Sequence, residues 1–216
     1  MSIEKLKENY PVKIRWMHFP LHPGTPQEGQ PLEDLFPGRD LTPMKERMKG
    51  LMAEAGLPYG DRSHTFNSRL AQELGKWADT QESDADIHDL LYKAYFVDGI
   101  NISNVNALAK IAGSAGLDVE AAHKILAERE FEFEVDKDWR RSREIGVTGV
   151  PTFYSHDLAV VGCQREVHRW RLFGVRQRQR RRQRQRTRRG RLRGGPSACT
   201  CTTPSVGPAA LTTLTT

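Results

Sequence analysis

The stretch "IGVTGVPTFY", Ile145 to Tyr154, decides the fold. It reads as a helix ending at Gly146, a tight turn at Gly149, and a strand-like run with Pro151 at its head. Proline offers no N–H to a β-ladder, so within a sheet it is confined to an edge, a bulge or a strand start. Taken alone, these residues fit a trans proline opening a short buried strand. "LAVVG", Leu158 to Gly162, follows as a second short strand.

Upstream, "VKIRW" alternates with period two, with Val12, Ile14 and Trp16 on one side, and reads as a strand. Before it, "IEKLKENYP" has the look of the last turns of a helix stopped by Pro11. A loop rich in Pro and Gly leads to Thr42, expected to cap a helix with Pro43 at its first position. Met44, Met48, Leu51 and Met52 are expected to point inward from that helix. Three more helices are read from Phe66, Leu70, Leu74 and Trp77, from Ile87, Leu90, Leu91, Ala94 and Tyr95, and from Ser103 to about Gly116. Asp118 caps the next, and helical character runs on to Gly146 with a break. Strand, several helices, strand, strand is an α/β layout with a helical insertion between sheet halves.

Several stretches in this order resemble the DsbA-like thioredoxin-fold family, and within it the FrnE-type disulfide oxidoreductases. They are "VKIRWMHFPLHPGTPQEG", "FNSRLAQELGKWA", "LLYKAYFVDGINISNVNALAKIAGSAGLD", "EIGVTGVPTF" and "VVGCQ". The same architecture serves 2-hydroxychromene-2-carboxylate isomerases and kappa-class glutathione transferases, so fold alone does not fix the chemistry. The resemblance divides the chain into residues 1–20, a remnant of the thioredoxin-like half, and residues 21–143, a helical insertion with its connecting helix. Residues 144–164 hold the proline loop and the last two strands, and residues 165–216 are expected to be a disordered Arg-rich tail. It also implies a cis Val150–Pro151 bond and a substrate-contact loop at Val150, Pro151 and Thr152, where the Val150 backbone pairs with an extended chain. Phe153 continues the loop into the core.

Thiol–disulfide exchange needs a thiolate of lowered pKa, which this family supplies from Cys-x-x-Cys at a helix N-terminus. The motif would follow the family's first strand and precede the helix ending in "IEKLKENYP". The three cysteines are Cys163, Cys199 and Cys201, and none forms such a motif. No catalytic residue is therefore assigned, and the chain reads as a truncated family member whose activity is lost or incomplete. Without the first strand, "VKIRW" and the later strands are expected to lack a shared neighbour. The alternatives are a non-catalytic binding remnant, or a relative of the glutathione-using transferases and isomerases. No cofactor is implied. The expected partners are protein thiols or disulfides, or a small thiol such as glutathione.

Charge separates the tail from the body. Of 33 Lys and Arg and 27 Asp and Glu, 14 basic residues and one acidic residue lie from Arg165 onward, leaving 19 against 26 before it. Arg without Lys, followed by Thr, Pro and Ala, is the bias expected of a GC-rich gene read in a shifted frame. An Arg run binds phosphates without regard to sequence, so nucleic-acid binding is expected only as a non-specific property. No run of about 18 apolar residues exists to span a membrane. With no secretory leader and no cysteine framework, the cytoplasm is the expected location.

Other side chains invite sharper readings. Cys199, Cys201 and His168 fall short of the four ligands structural zinc wants. Cys163 fits a packed thiol better than a redox one. His18 and His22 flank the exit of the "VKIRW" strand, where the family lines its substrate groove; they fit polar strand-exit residues better than a binding role. Asp84, Asp86 and Asp89 fit charged helix-start residues better than a metal cluster.

Overall fold

The computed structural model describes residues 13–82, 85–155, 158–162 and 210–215. In chain order the elements are β1 (Lys13–His18), β2 (Gln30–Pro31), α1 (Leu32–Leu35), α2 (Thr42–Glu54), β3 (His64–Thr65), α3 (Arg69–Ala78) and α4 (Ile87–Phe96). After them come α5 (Val105–Ser114), α6 (Val119–Ala127), α7 (Glu132–Glu144), β4 (Thr152–Ser155), β5 (Leu158–Val161) and β6 (Ala210–Thr215). The chain forms two compact units, one holding the sheet of β1, β4, β5 and β6, the other spanning Pro20–Arg141.

The sheet runs in the order β1-β6-β4-β5. β6 lies parallel to β1 over all six of its residues, from Lys13 opposite Ala210 to His18 opposite Thr215. It lies antiparallel to β4, with Thr152 opposite Leu214 and Tyr154 opposite Thr212. β4 and β5 pair antiparallel, Thr152 facing Val161 and Ser155 facing Leu158. The expectation that "VKIRW" and the later strands lack a shared neighbour is thus overturned: Ala210–Thr215 occupies the central position. Its residues, "ALTTLT", carry no charge and no proline, and threonine's β-branch suits a pleated strand. The part of the tail expected to be disordered therefore excludes these six residues. Residues 163–209, with the Arg run, and residues 1–12, with the helix expected before Pro11, lie outside the described residues.

In the Pro20–Arg141 unit the core is built where the apolar periodicity falls. Leu70, Leu74 and Trp77 of α3 pack with Ile87 and Ala94 of α4, Leu108 and Ile111 of α5, and Ile125 and Leu126 of α6. Three helix starts are set by side-chain caps. Asp86 accepts from the His88 N–H, Asn104 from Ala107 and Asp118 from Ala121. Asn104, not Ser103, caps α5: its Oδ1 accepts the Ala107 N–H at 3.0 Å, while Ser103 Oγ turns back to Asn101 Oδ1. Phe66 precedes α3 and packs on the core from outside the helix.

α2 departs from expectation in two ways. The Thr42 N–H is taken by Asp40 Oδ1 at 2.9 Å, so Asp40 does the capping expected of Thr42. No residue of α2 is buried, and Met44, Met48 and Leu51 are exposed. The stripe exists in sequence, but no other element covers it among the described residues.

α3 is buried nearly all round, and its polar side meets α7. Glu73, fully buried, accepts Arg69 Nε at 2.8 Å and takes Arg129 at two points, Nε to Oε2 at 2.8 Å and Nη2 to Oε1 at 2.6 Å. Arg69 also reaches Asp136 at 2.8 Å and lies over the Trp139 ring, whose Nε1 donates to Gln72 Oε1 at 2.7 Å. Lys76 pairs with Asp138 at 2.5 Å. Arg129 sits at φ 55, the break between α6 and α7, and its guanidinium is held above its usual pKa chiefly by the hydrogen bond to Glu73.

Two stability outcomes are expected from denaturant unfolding of variants. Leu74→Ala, at a site with no exposed surface, costs about 2–5 kcal/mol, whereas Met48→Ala changes stability by about 0.5 kcal/mol or less. Glu73→Ala, which strands two guanidinium groups, costs about 3 kcal/mol. The Asp40 cap also has a pH signature. Its hydrogen bond to Thr42 holds the carboxyl below the ordinary aspartate value, so its contribution is present above that value and is lost as pH falls through the lowered one. Amides in the first turn of α2 are expected to lose exchange protection in acid, and Asp40→Asn to remove most of that dependence.

Candidate functional site

The turn after α7 is closed by local hydrogen bonds. The Val147 N–H donates to Ser142 O at 2.9 Å and Gly146 to Arg143 O at 3.0 Å, with Gly146 at φ 72, which suits a residue without a Cβ. Gly149 then carries the chain into the loop that precedes β4. The Val150–Pro151 peptide bond is cis.

Within this loop the backbone groups are not equally available. The Pro151 carbonyl accepts the Gly162 N–H at 2.7 Å, which ties the loop to the end of β5. Thr152 pairs with β5 on one side and β6 on the other, and its side chain is fully buried. Its Oγ1 donates to the Gly149 carbonyl at 2.6 Å. Thr152, expected as a substrate contact, has neither a side chain nor a ladder position to offer a ligand. It braces the turn from beneath. Pro151 is exposed and Val150 half-buried, and the Val150 N–H and C=O make no hydrogen bond to another described residue. Phe153 is buried, in the position expected of core.

Register places the other sequence candidate at the same end of the sheet. His18 lies opposite Thr215 and Thr152 opposite Leu214, so His18 and the Pro151 loop flank the last residues of β6 from its two sides. Two strand spacings put their backbones roughly 10 Å apart. The His18 side chain is buried, while His22, beyond β1, is exposed. The candidate site is thus the C-terminal end of the central strand, with His18 on one flank and Val150 and Pro151 on the other.

Asp86 is a helix cap and Asp89 lies in the first turn of α4; Asp84 lies outside the described residues. No group of three or more His, Cys, Asp or Glu able to hold a metal ion occurs among the described residues. Cys163, His168, Cys199 and Cys201 lie outside them. No helix among the described residues is long and apolar enough to cross a membrane. A groove of about 630 Å³ between α4 and α5, lined by Lys93, Asn101, Asn104 and Lys110, had no signal in sequence because its polar residues come from two helices and the loop between them.

Comparison with known proteins places the chain. The sequence profile described as a DSBA-like thioredoxin domain matches residues 1–168. An uncharacterised protein, YwbO, of Bacillus subtilis (strain 168) is 24% identical over 168 residues, covering 74% of this chain and 80% of its own length. The crystal structure of a probable DsbA oxidoreductase from Streptomyces coelicolor is similar with a TM-score of 0.58 and 26% identity, over 67% of this chain and 66% of that one. A 2-hydroxychromene-2-carboxylate isomerase has the same fold, with a TM-score of 0.56 at 20% identity over 86% of this chain and 88% of that one.

Thr152→Val is expected to cost about 1–2 kcal/mol, because it leaves the half-buried Gly149 carbonyl without its donor at nearly unchanged volume. Denaturant unfolding measures it, and the change is expected to appear in the midpoint with the slope unaltered.

Proposed function

Because the chain belongs to the family of DSBA-like thioredoxin domains, we propose that it serves thiol–disulfide exchange by holding an extended thiol- or disulfide-bearing polypeptide against Val150 and Pro151. The supporting observation is the loop's division of labour. Thr152 and the Pro151 carbonyl are committed to the sheet, and the Val150 backbone remains as an edge on which a passing strand can form a β-type pair.

Exchange proceeds by attack of a thiolate on a disulfide sulfur through a mixed disulfide, with the leaving thiolate taking up a proton. The 216 residues contain no Cys-x-x-Cys, so in this reading they supply the binding loop and the nucleophile comes from elsewhere. His18, buried at the other flank, shapes the floor of the site. A chain whose body lacks a cysteine framework is suited to a reducing compartment, which favours a cytoplasmic setting. Glutathione is the small-thiol alternative for the same loop.

A fluorescent, unfolded peptide containing one reduced cysteine tests the reading. The wild-type chain is expected to bind it, and Val150→Pro, which removes the N–H, to bind about 3- to 10-fold more weakly. Glutathione at millimolar concentration displaces the peptide if the site takes small thiols. Equal binding by the two proteins overturns the proposal.

A further inference from the structure

The central position of the sheet is filled from far along the chain. Residues 162–209 separate β5 from β6, a length whose extended contour is on the order of 150 Å. β4 and β5 are joined by two residues, so that hairpin can form only within one molecule. β6, by contrast, follows β5 only after that long span of chain. Both of its neighbours need it: without β6, β1 and β4 each present a row of unpaired N–H and C=O groups, an edge that recruits any compatible strand. "ALTTLT" is uncharged, free of proline and able to pair on both sides, parallel with β1 and antiparallel with β4.

We propose that the gap between β1 and β4 is a strand-acceptor site whose ligand is the segment Ala210–Thr215, and that this segment passes between copies, β6 of one molecule completing the sheet of another. Exchange of an identical element costs little because the contacts made in trans are those made in cis. The partner is thus a second copy of this chain, recognised through main-chain pairing. The length of chain between β5 and β6 is enough for the segment to reach another molecule.

The test uses the full chain carrying Leu211→Pro and Thr213→Pro, which removes two ladder donors from β6, and a labelled peptide of residues 207–216. The peptide is expected to bind the double variant saturably and at least about tenfold more tightly than the wild type, whose own segment competes at high effective concentration. Binding equal in the two proteins, or matched by a scrambled peptide, overturns the proposal. The wild-type chain gives readouts that do not depend on the variant folding. Its Leu211 to Leu214 amides are expected to exchange at least about 100-fold more slowly than in an unstructured peptide, and unprotected exchange overturns the acceptor site. Refolded at high concentration it is expected to yield a dimer by light scattering, and a monomer at every concentration overturns exchange between copies.

Discussion

A strand in the middle of a sheet must be paired on both faces of its backbone, and that requirement organises the sheet unit. In this arrangement β1 and the β4–β5 hairpin do not pair with each other; each pairs with a third strand. Ala210–Thr215 meets the need, with six residues matched to β1 and three to β4. The Pro151 loop depends on the same strand. Thr152 is fixed between Val161 and Leu214, its hydroxyl fixes Gly149, and the Pro151 carbonyl is fixed by Gly162. Remove the central strand and the loop loses one of the walls that hold Thr152 in place.

The Pro20–Arg141 unit solves a different problem. α3 buries an apolar side in the helical core and a charged side against α7, so Glu73 lies in the interior with two guanidinium groups around it. Burying a lone carboxylate is prohibitive; burying it with bidentate hydrogen bonds from Arg129 and a further donor in Arg69 is affordable and fixes geometry. Arg129 stands at the break between α6 and α7 with positive φ, which aims its side chain back at Glu73 and sets where α7 begins.

Local chemistry was legible in the sequence and distant pairing was not. Asp118 was readable as a cap because its partner amide lies three residues away, and Leu70, Leu74 and Trp77 because their spacing alone defines one helix face. α2 misled because a stripe of Met44, Met48 and Leu51 states which face is apolar and says nothing of whether another element covers it. β6 left no signal, since "ALTTLT" has no period-two alternation and its partners lie roughly 50 to 200 positions earlier in the chain. The Pro151 loop is marked by family resemblance, yet the place of Thr152 is set by tertiary packing: a threonine beside an exposed proline reads as a contact, and its side chain lies buried with its hydroxyl on the Gly149 carbonyl.

The chemistry of the site follows from which groups are spent and which are spare. One end of the sheet gathers His18, the end of β6 and the Val150–Pro151 loop, in which the Val150 N–H and C=O make no hydrogen bond to another described residue. All of this rests on the identity of the central strand. The decisive measurement is a set of interstrand nuclear Overhauser effects on the isotope-labelled full chain. Backbone contacts from Thr213 to both Trp16 and Phe153 are predicted, since these residues face one another across the two ladders. Random-coil shifts throughout Ala210–Thr215, with no such contacts, would contradict the account.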